Sequence, residues 1–146
     1  MKVCLFGGTF DPPHLGHLII AQTIFEVENF DQIVFVPAYR PPHKKELKIS
    51  PFDKRLEMLN IAIKENPNFV ISELEIQRKG LSYSIDTIME YKKQNNLDSE
   101  DLFYLIGSDS LKHFKKWKNP KMIIDECRLV VAIRPGFRPS DIPNWI

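Results

Sequence analysis

Cysteine is scarce: Cys4 and Cys127 stand far apart, without a CxxC pair or zinc-ligand spacing. That excludes a disulfide framework and a zinc ribbon, and the two read as reduced core thiols of a cytoplasmic protein. Long apolar runs are missing too. No run is long enough to cross a bilayer, and the apolar start has the pattern of a strand rather than of a signal peptide. An excess of one charge is also absent, because the net charge is only +1. Neither nucleic acid nor a membrane surface is therefore indicated as a partner. No repeat or low-complexity tract occurs. What is there, 43% apolar and 27% charged residues in a chain of 146, suits one domain with an ordinary core, taken as residues 1–146.

Lys2-Val3-Cys4-Leu5-Phe6 reads as a short buried strand stopped by Gly7-Gly8. Leu15, Leu18, Ile19, Ala21, Gln22, Ile24 and Phe25 then follow helical spacing, so a helix is predicted from near His14. The stretch from Gly7 to His17 is thus a strand-to-helix turn. Glycines without Cβ atoms let a phosphate approach the backbone. The helix start adds unpaired N–H groups and a partial positive charge. His14 and His17 share a helix face and can donate imidazole N–H groups to one ligand. Asp11, ahead of Pro12-Pro13, is expected to shape the turn by bonding backbone amides.

Gly8-Thr9-Phe10-Asp11-Pro12 followed by His14-Leu15-Gly16-His17 resembles the signature of the nucleotidyltransferase superfamily. Its HxGH motif is related to that of class I aminoacyl-tRNA synthetases. Two blander readings stand beside this one. The turn could be purely structural, or His14, His17 and Asp11 or His43 could be zinc ligands, although paired glycines suit a phosphate better than a metal.

Further along, residues 32–37 read as a second strand, making a right-handed parallel β–α–β unit with the first. The loop after it, Tyr39-Arg40-Pro41-Pro42-His43-Lys44-Lys45, is by composition either an anion-binding loop or a solvated basic turn. Pro41-Pro42-His43-Lys44 resembles the PPHK stretch of nicotinate-mononucleotide adenylyltransferases, which implies phosphate contacts for Lys44. Ser50 is expected to cap the next helix with Pro51 at its first position; Phe52, Leu56, Leu59 and Ile63 form its apolar face. Arg55 is expected on that helix surface, with the site as the other option. Residues 69–76 read as a third strand, half exposed towards its end.

Gly80-Leu81-Ser82-Tyr83-Ser84-Ile85-Asp86-Thr87 reads as a helix start capped by Ser82 or Ser84. It also resembles the G-x-S-Y-T/S-x-D-T pattern of the same adenylyltransferases, which implies that the helix start around Ser84 and Thr87 receives the nicotinate carboxylate. Residues 102–106 are a fourth strand leading to Gly107 and Asp109. The family's G-x-D motif implies a ribose contact for Asp109, while the residues alone allow Ser108 or Asp109 simply to cap a short helix. Trp117 is either a core anchor or a stacking surface; the resemblance implies that it stacks on the pyridine ring, with Lys118 beside it holding the carboxylate. Residues 128–133 are a fifth strand, followed by Arg134-Pro135-Gly136, again as in the family.

The expected fold is a Rossmann-like three-layer α/β sandwich, its five strands mainly parallel in the order 3-2-1-4-5. The reaction that the resemblance implies is ATP plus nicotinate mononucleotide giving deamido-NAD and pyrophosphate, with Mg²⁺ accompanying ATP. Gly7, Gly8, Thr9, Phe10, His14, His17, Gly107 and Asp109 would bind ATP. Lys44, Ser84, Thr87, Asp109, Trp117, Lys118 and Arg134 would bind the mononucleotide, with His14, His17 and Lys44 catalytic and no resident metal. A phosphopantetheine adenylyltransferase-like enzyme and a non-catalytic nucleotide-binding remnant are the alternatives. The family's I-S-S-T-x-I-R segment has no counterpart after Arg138, so truncation at the C-terminus is expected. A homo-oligomer is compatible with the sequence.

Overall fold

The computed structural model describes residues 1–41, 48–133 and 135–146. Its centre is a five-stranded sheet, all parallel. The strands are β1 (Val3–Gly8), β2 (Gln32–Pro37), β3 (Phe69–Ile71), β4 (Leu102–Gly107) and β5 (Arg128–Ala132), in the spatial order β3-β2-β1-β4-β5. Both faces are covered, so the strands are near-continuous apolar runs whose side chains divide by parity. Val3, Leu5, Val34 and Val36 enter one core with Leu102, Tyr104 and Ile106, closed by Ile85, Ile88, Phe114 and Ile123. Cys4, Ile33, Phe35, Phe103 and Leu105 enter the other, closed by Ala21, Leu59 and Ile63.

The helices lie between strands, as parallel connections require. They are α1 (Leu15–Val27), α2 (Phe52–Ile63), α3 (Leu74–Arg78), α4 (Ser84–Asn95), α5 (Ser108–Leu111) and α6 (Pro120–Glu126). No helix among the described residues is long and apolar enough to cross a membrane. Both cysteines are buried free thiols, and burial pushes their pKa values up, Cys127 to about 12.

The third strand and the start of α2 depart from the sequence reading. The expected third strand ends at Ile71 rather than 76, because the Ser72 amide still reaches Phe35 O while the Ser72 hydroxyl accepts the Leu74 amide and turns the chain into α3. Local hydroxyl-to-backbone bonding of this kind competes with a strand ladder. Leu74 and Glu75 are consequently buried, not half exposed. The second departure is at α2, where Pro51, not Ser50, is the N-cap residue and no side chain caps the helix. The Ser50 backbone is engaged elsewhere, its amide with Asp11 and its carbonyl with Arg55.

Candidate functional site

The sheet brings the carboxyl ends of all five strands to one edge, where parallel α/β sheets bind ligands. At the centre, Gly7 and Gly8 end β1, and Gly8 O accepts the Ala38 amide at 2.8 Å. A Cβ on Gly7 would lie 2.8 Å from Tyr104 Oη, and one on Gly8 would lie 3.1 Å from the Phe10 ring. Here glycine serves close packing. We expect Gly7→Ala to displace Tyr104 and cost about 1–3 kcal/mol in chemical denaturation. Most of that loss should vanish in a Tyr104→Phe background; an equal loss in both would refute the clash.

Phe10 holds the left-handed conformation, φ 50°, which carries a cost of about 1–3 kcal/mol for a non-glycine residue. Burial of its ring among Phe6, Phe35 and His17 offsets that by a similar amount, about 2–3 kcal/mol. The packing thereby fixes the turn that leads to α1.

His14 is the N-cap of α1, and the first turn contains no acidic side chain. The amides of Leu15 and Gly16 precede the first intrahelical bond, leaving an anion-receptive end. A Cβ on Gly16 would stand 2.9 Å from the His14 ring, so a side chain there would displace that ring. The two imidazoles stack with centroids 3.7 Å apart and planes 19° from parallel. The His14 amide donates to His17 Nδ1 at 3.0 Å. That bond puts the proton of a neutral His17 on Nε2. Burial, and then the charge of His14, lower the His17 pKa to about 4. At neutral pH His17 is therefore an uncharged N–H donor.

Asp11 takes the Ser50 amide at 2.8 Å, a bond to a distant segment rather than to its own turn, and this bond depresses its pKa. Beside it lies Arg55, buried rather than on the helix surface (1% exposed). Its Nη1 donates to Thr9 O at 3.0 Å and to Ala38 O at 2.7 Å, while Nε donates to Ser50 O at 2.9 Å. One side chain thus joins the turn after β1, the exit of β2 and the start of α2. A signal existed: Arg55 falls three residues after Phe52 and four before Leu59, inside the buried stripe of α2.

A second group gathers past β4. Asp109, Ser110, His113, Lys116 and Trp117 line a cavity of about 420 Å³. Trp117 is half-buried, stacked on Phe114 at 5.1 Å and edge-on to Tyr104 at 6.3 Å. Core contact and cavity lining therefore coexist in one residue. Lys118 reaches back to Asp86 at 3.0 Å and lies 4.8 Å over the Tyr83 ring, which draws the Trp117 segment onto the start of α4.

Ser84 and Thr87 are placed differently from each other. Ser84 Oγ lies 2.9 Å from Tyr104 Oη, so Tyr104 touches both the Gly7 turn and α4. Thr87 is 2% exposed; its amide bonds Tyr83 O inside the helix and its hydroxyl bonds Glu75. The amides that precede the first intrahelical bond are those of Ser84, Ile85 and Asp86. Neither candidate cap acts as one: Tyr83 is the N-cap residue, and the Ser82 hydroxyl accepts the Tyr39 and Arg40 amides. Gly107 is exposed at the start of α5. Lys44 and Arg134 lie outside the described residues, as does His43. Among the described residues no three His, Cys, Asp or Glu side chains gather as metal ligands. A cavity of about 580 Å³ by Lys115, Met122 and Trp145 contains none of the expected site residues.

A family model described as cytidylyltransferase-like matches residues 5–145. Several curated relatives bear the description "Probable nicotinate-nucleotide adenylyltransferase". One from Thermus thermophilus is 38% identical over 143 residues, covering 98% of this chain and 75% of its own length. That of Aquifex aeolicus is 41% identical over 133 residues, covering 91% and 77%. That of Geobacter metallireducens is 40% identical over 142 residues, covering 97% of this chain but 65% of its own length. The chain thus spans between about two thirds and three quarters of these three relatives. Among solved structures, Plasmodium falciparum nicotinic acid mononucleotide adenylyltransferase complexed with NaAD superposes with a TM-score of 0.81. The identity there is 18%, over 97% of this chain and 71% of that one, so the likeness is one of fold. On its own turn and on these matches together, the chain belongs to the cytidylyltransferase-like family, beside the nicotinate-nucleotide adenylyltransferases.

Proposed function

We propose that this chain carries the core of a nicotinate-nucleotide adenylyltransferase, transferring AMP from ATP to nicotinate mononucleotide and releasing pyrophosphate, in the cytoplasm. The observation that carries the reading is the continuity of the site through Tyr104, which packs against the Gly7 turn, bonds Ser84 and meets the edge of Trp117. Phosphate chemistry and a flat aromatic recognition surface are thereby adjacent.

In the proposed step a phosphate oxygen of the mononucleotide attacks the α-phosphorus of ATP in line. The new P–O bond forms as the bond to pyrophosphate breaks. The nucleophile is already anionic near neutral pH, so no side chain need remove a proton. Catalysis then consists of alignment and charge neutralisation. Leu15 and Gly16 amides, with His17 Nε2–H, would donate to phosphate oxygens as charge builds on them. The substrate is ATP with its divalent ion, Mg²⁺ in this proposal. Lys44 and Arg134 are proposed as phosphate-facing cations. Asp109 and Trp117 would take the ribose and the pyridine ring, and the start of α4 with Lys118 the carboxylate.

The test is pyrophosphate release with ATP, Mg²⁺ and nicotinate mononucleotide, against phosphopantetheine as the competing acceptor. Release only with the mononucleotide supports the proposal. Release only with phosphopantetheine, or ATP binding without turnover, replaces it with the corresponding alternative. Substituting Trp117 with Ala should raise the KM for the mononucleotide by about tenfold, the loss of a stacking contact, and that for ATP by far less. The reverse order would remove the ring from the stacking role.

A further inference from the structure

Glu75 is a buried carboxylate that the chemistry above does not use. It sits on α3, 6% exposed, beneath two segments that meet the proposed mononucleotide site. Thr87 donates its hydroxyl to Glu75 Oε2 at 2.6 Å and accepts from Arg78 Nη2 at 3.0 Å. Arg78 Nη1 is buried without a hydrogen bond, 3.5 Å from Glu90. The Ser82 hydroxyl accepts the amides of Tyr39 and Arg40, each at 3.1 Å, while the Ser82 amide donates to Arg40 O at 2.9 Å. With both amides donating to it, the Ser82 hydroxyl keeps its own proton, and it lies near enough to Glu75 to favour the charged carboxylate. Burial raises the Glu75 pKa, and Thr87 and Ser82, with the Arg78 charge alongside, work against that rise.

A single carboxylate therefore takes the Thr87 hydroxyl from the first turn of α4 and neighbours Ser82, the strap that holds the chain leaving β2. Those segments carry the proposed carboxylate-binding amides and lead to Lys44. We infer that Glu75 is a positioning residue for the acceptor substrate: it sets the spacing between the start of α4 and the segment of Tyr39 and Arg40 without touching the ligand. The inference rests on the adenylyltransferase reading. It adds a member of the site that neither the helix-start motif nor the HxGH turn contains.

The experiment compares wild type, Glu75→Gln and Thr87→Val by calorimetric titration with nicotinate mononucleotide and, separately, with ATP. Amide hydrogen exchange of the ligand-free proteins is measured alongside. The expected result is about tenfold weaker mononucleotide binding in each variant and ATP binding within about twofold of wild type. Exchange should quicken at Tyr39 and Arg40 in Glu75→Gln but not in β4. Equal losses for both ligands, or no loss for either, overturn the inference, as does unchanged exchange at Tyr39 and Arg40. A wild type that binds ATP but no mononucleotide overturns the functional reading instead, and the exchange result still decides whether Glu75 holds the strap. Glu75→Ala provides the larger perturbation, and Thr87→Val combined with Glu75→Gln should be no worse than either alone if they act through one bond.

Discussion

Replacing His17 with Ala should lower turnover by on the order of a hundredfold or more, the usual cost of losing one preorganised donor to developing charge. The side chain is held in one orientation, as the proposed role requires. Its ring packs edge-on against Phe6 and Phe10 and stacks on His14, and its Nδ1 is fixed by the His14 amide. What is free to meet a substrate is Nε2–H on a neutral ring. Measured kcat from pyrophosphate release checks this, and a loss too small to resolve would take His17 out of the step.

The pH dependence follows with a definite sign. A pKa of about 4 in the folded chain against about 6.5 unfolded means that the unfolded state binds more protons between those values. The His17 contribution to stability is thus complete above about pH 6.5 and falls as pH drops towards about 4. Protonation would also remove the lone pair that accepts the His14 amide. Turnover should accordingly show no His17 titration between about pH 5.5 and 8. An acid limb near pH 6.5 that disappears in His17→Ala would contradict the depressed pKa.

Arg55→Met should be the most destabilising single change among those considered, about 3–5 kcal/mol, read as a fall in Tm of roughly 10 °C. The guanidinium is buried and satisfies carbonyls of Thr9, Ala38 and Ser50. Methionine fills the space but removes the donor that those three carbonyls share, the costly direction of hydrogen-bond deletion. Arg55→Lys should recover only part, since an ammonium on a flexible stem cannot reproduce the planar fork. A Tm within about 2 °C of wild type for Arg55→Met, roughly the size of a surface substitution, would show that the three loops are held by other means.

What can be read from the chain, and what cannot, divides by range. β1, β2 and β4 are continuous apolar runs closed by glycine or proline, so their existence and their parallel order are open to local reasoning. The histidine pair is likewise visible, because four consecutive positions place it. The buried roles of Arg55 and Glu75 are not, although the place of Arg55 in the apolar stripe of α2 is. Each is a charge on a buried face whose partners lie in other segments: Thr9, 46 positions away, for Arg55 and Thr87, 12 positions away, for Glu75. Periodicity registers such a residue as a defect in the pattern and says nothing of the donors and acceptors that satisfy it. The Ser72 turn is hidden for a related reason, since Leu74 and Ile76 fit a strand's alternation as well as a short helix. Ser82 reads locally as a helix cap, although its hydroxyl is engaged with two amides of the β2 exit.

The central place of β1 also has a consequence for how the chain is made. β1 pairs with β2 across a short stretch of sequence, but its other neighbour, β4, pairs Val3 with Leu102 and Leu5 with Tyr104. During synthesis at roughly 5–20 residues per second, the β1–α1–β2 unit leaves the ribosome several seconds before β4 does. For that interval the future middle of the sheet is an apolar edge with unpaired amides, the kind that invites pairing with a stranger. Non-local pairing of this sort also slows folding relative to local contacts. The nascent chain is thus most exposed to misassembly in the interval before β4 emerges, and variants that delay β4 should lose yield of folded protein before they lose stability.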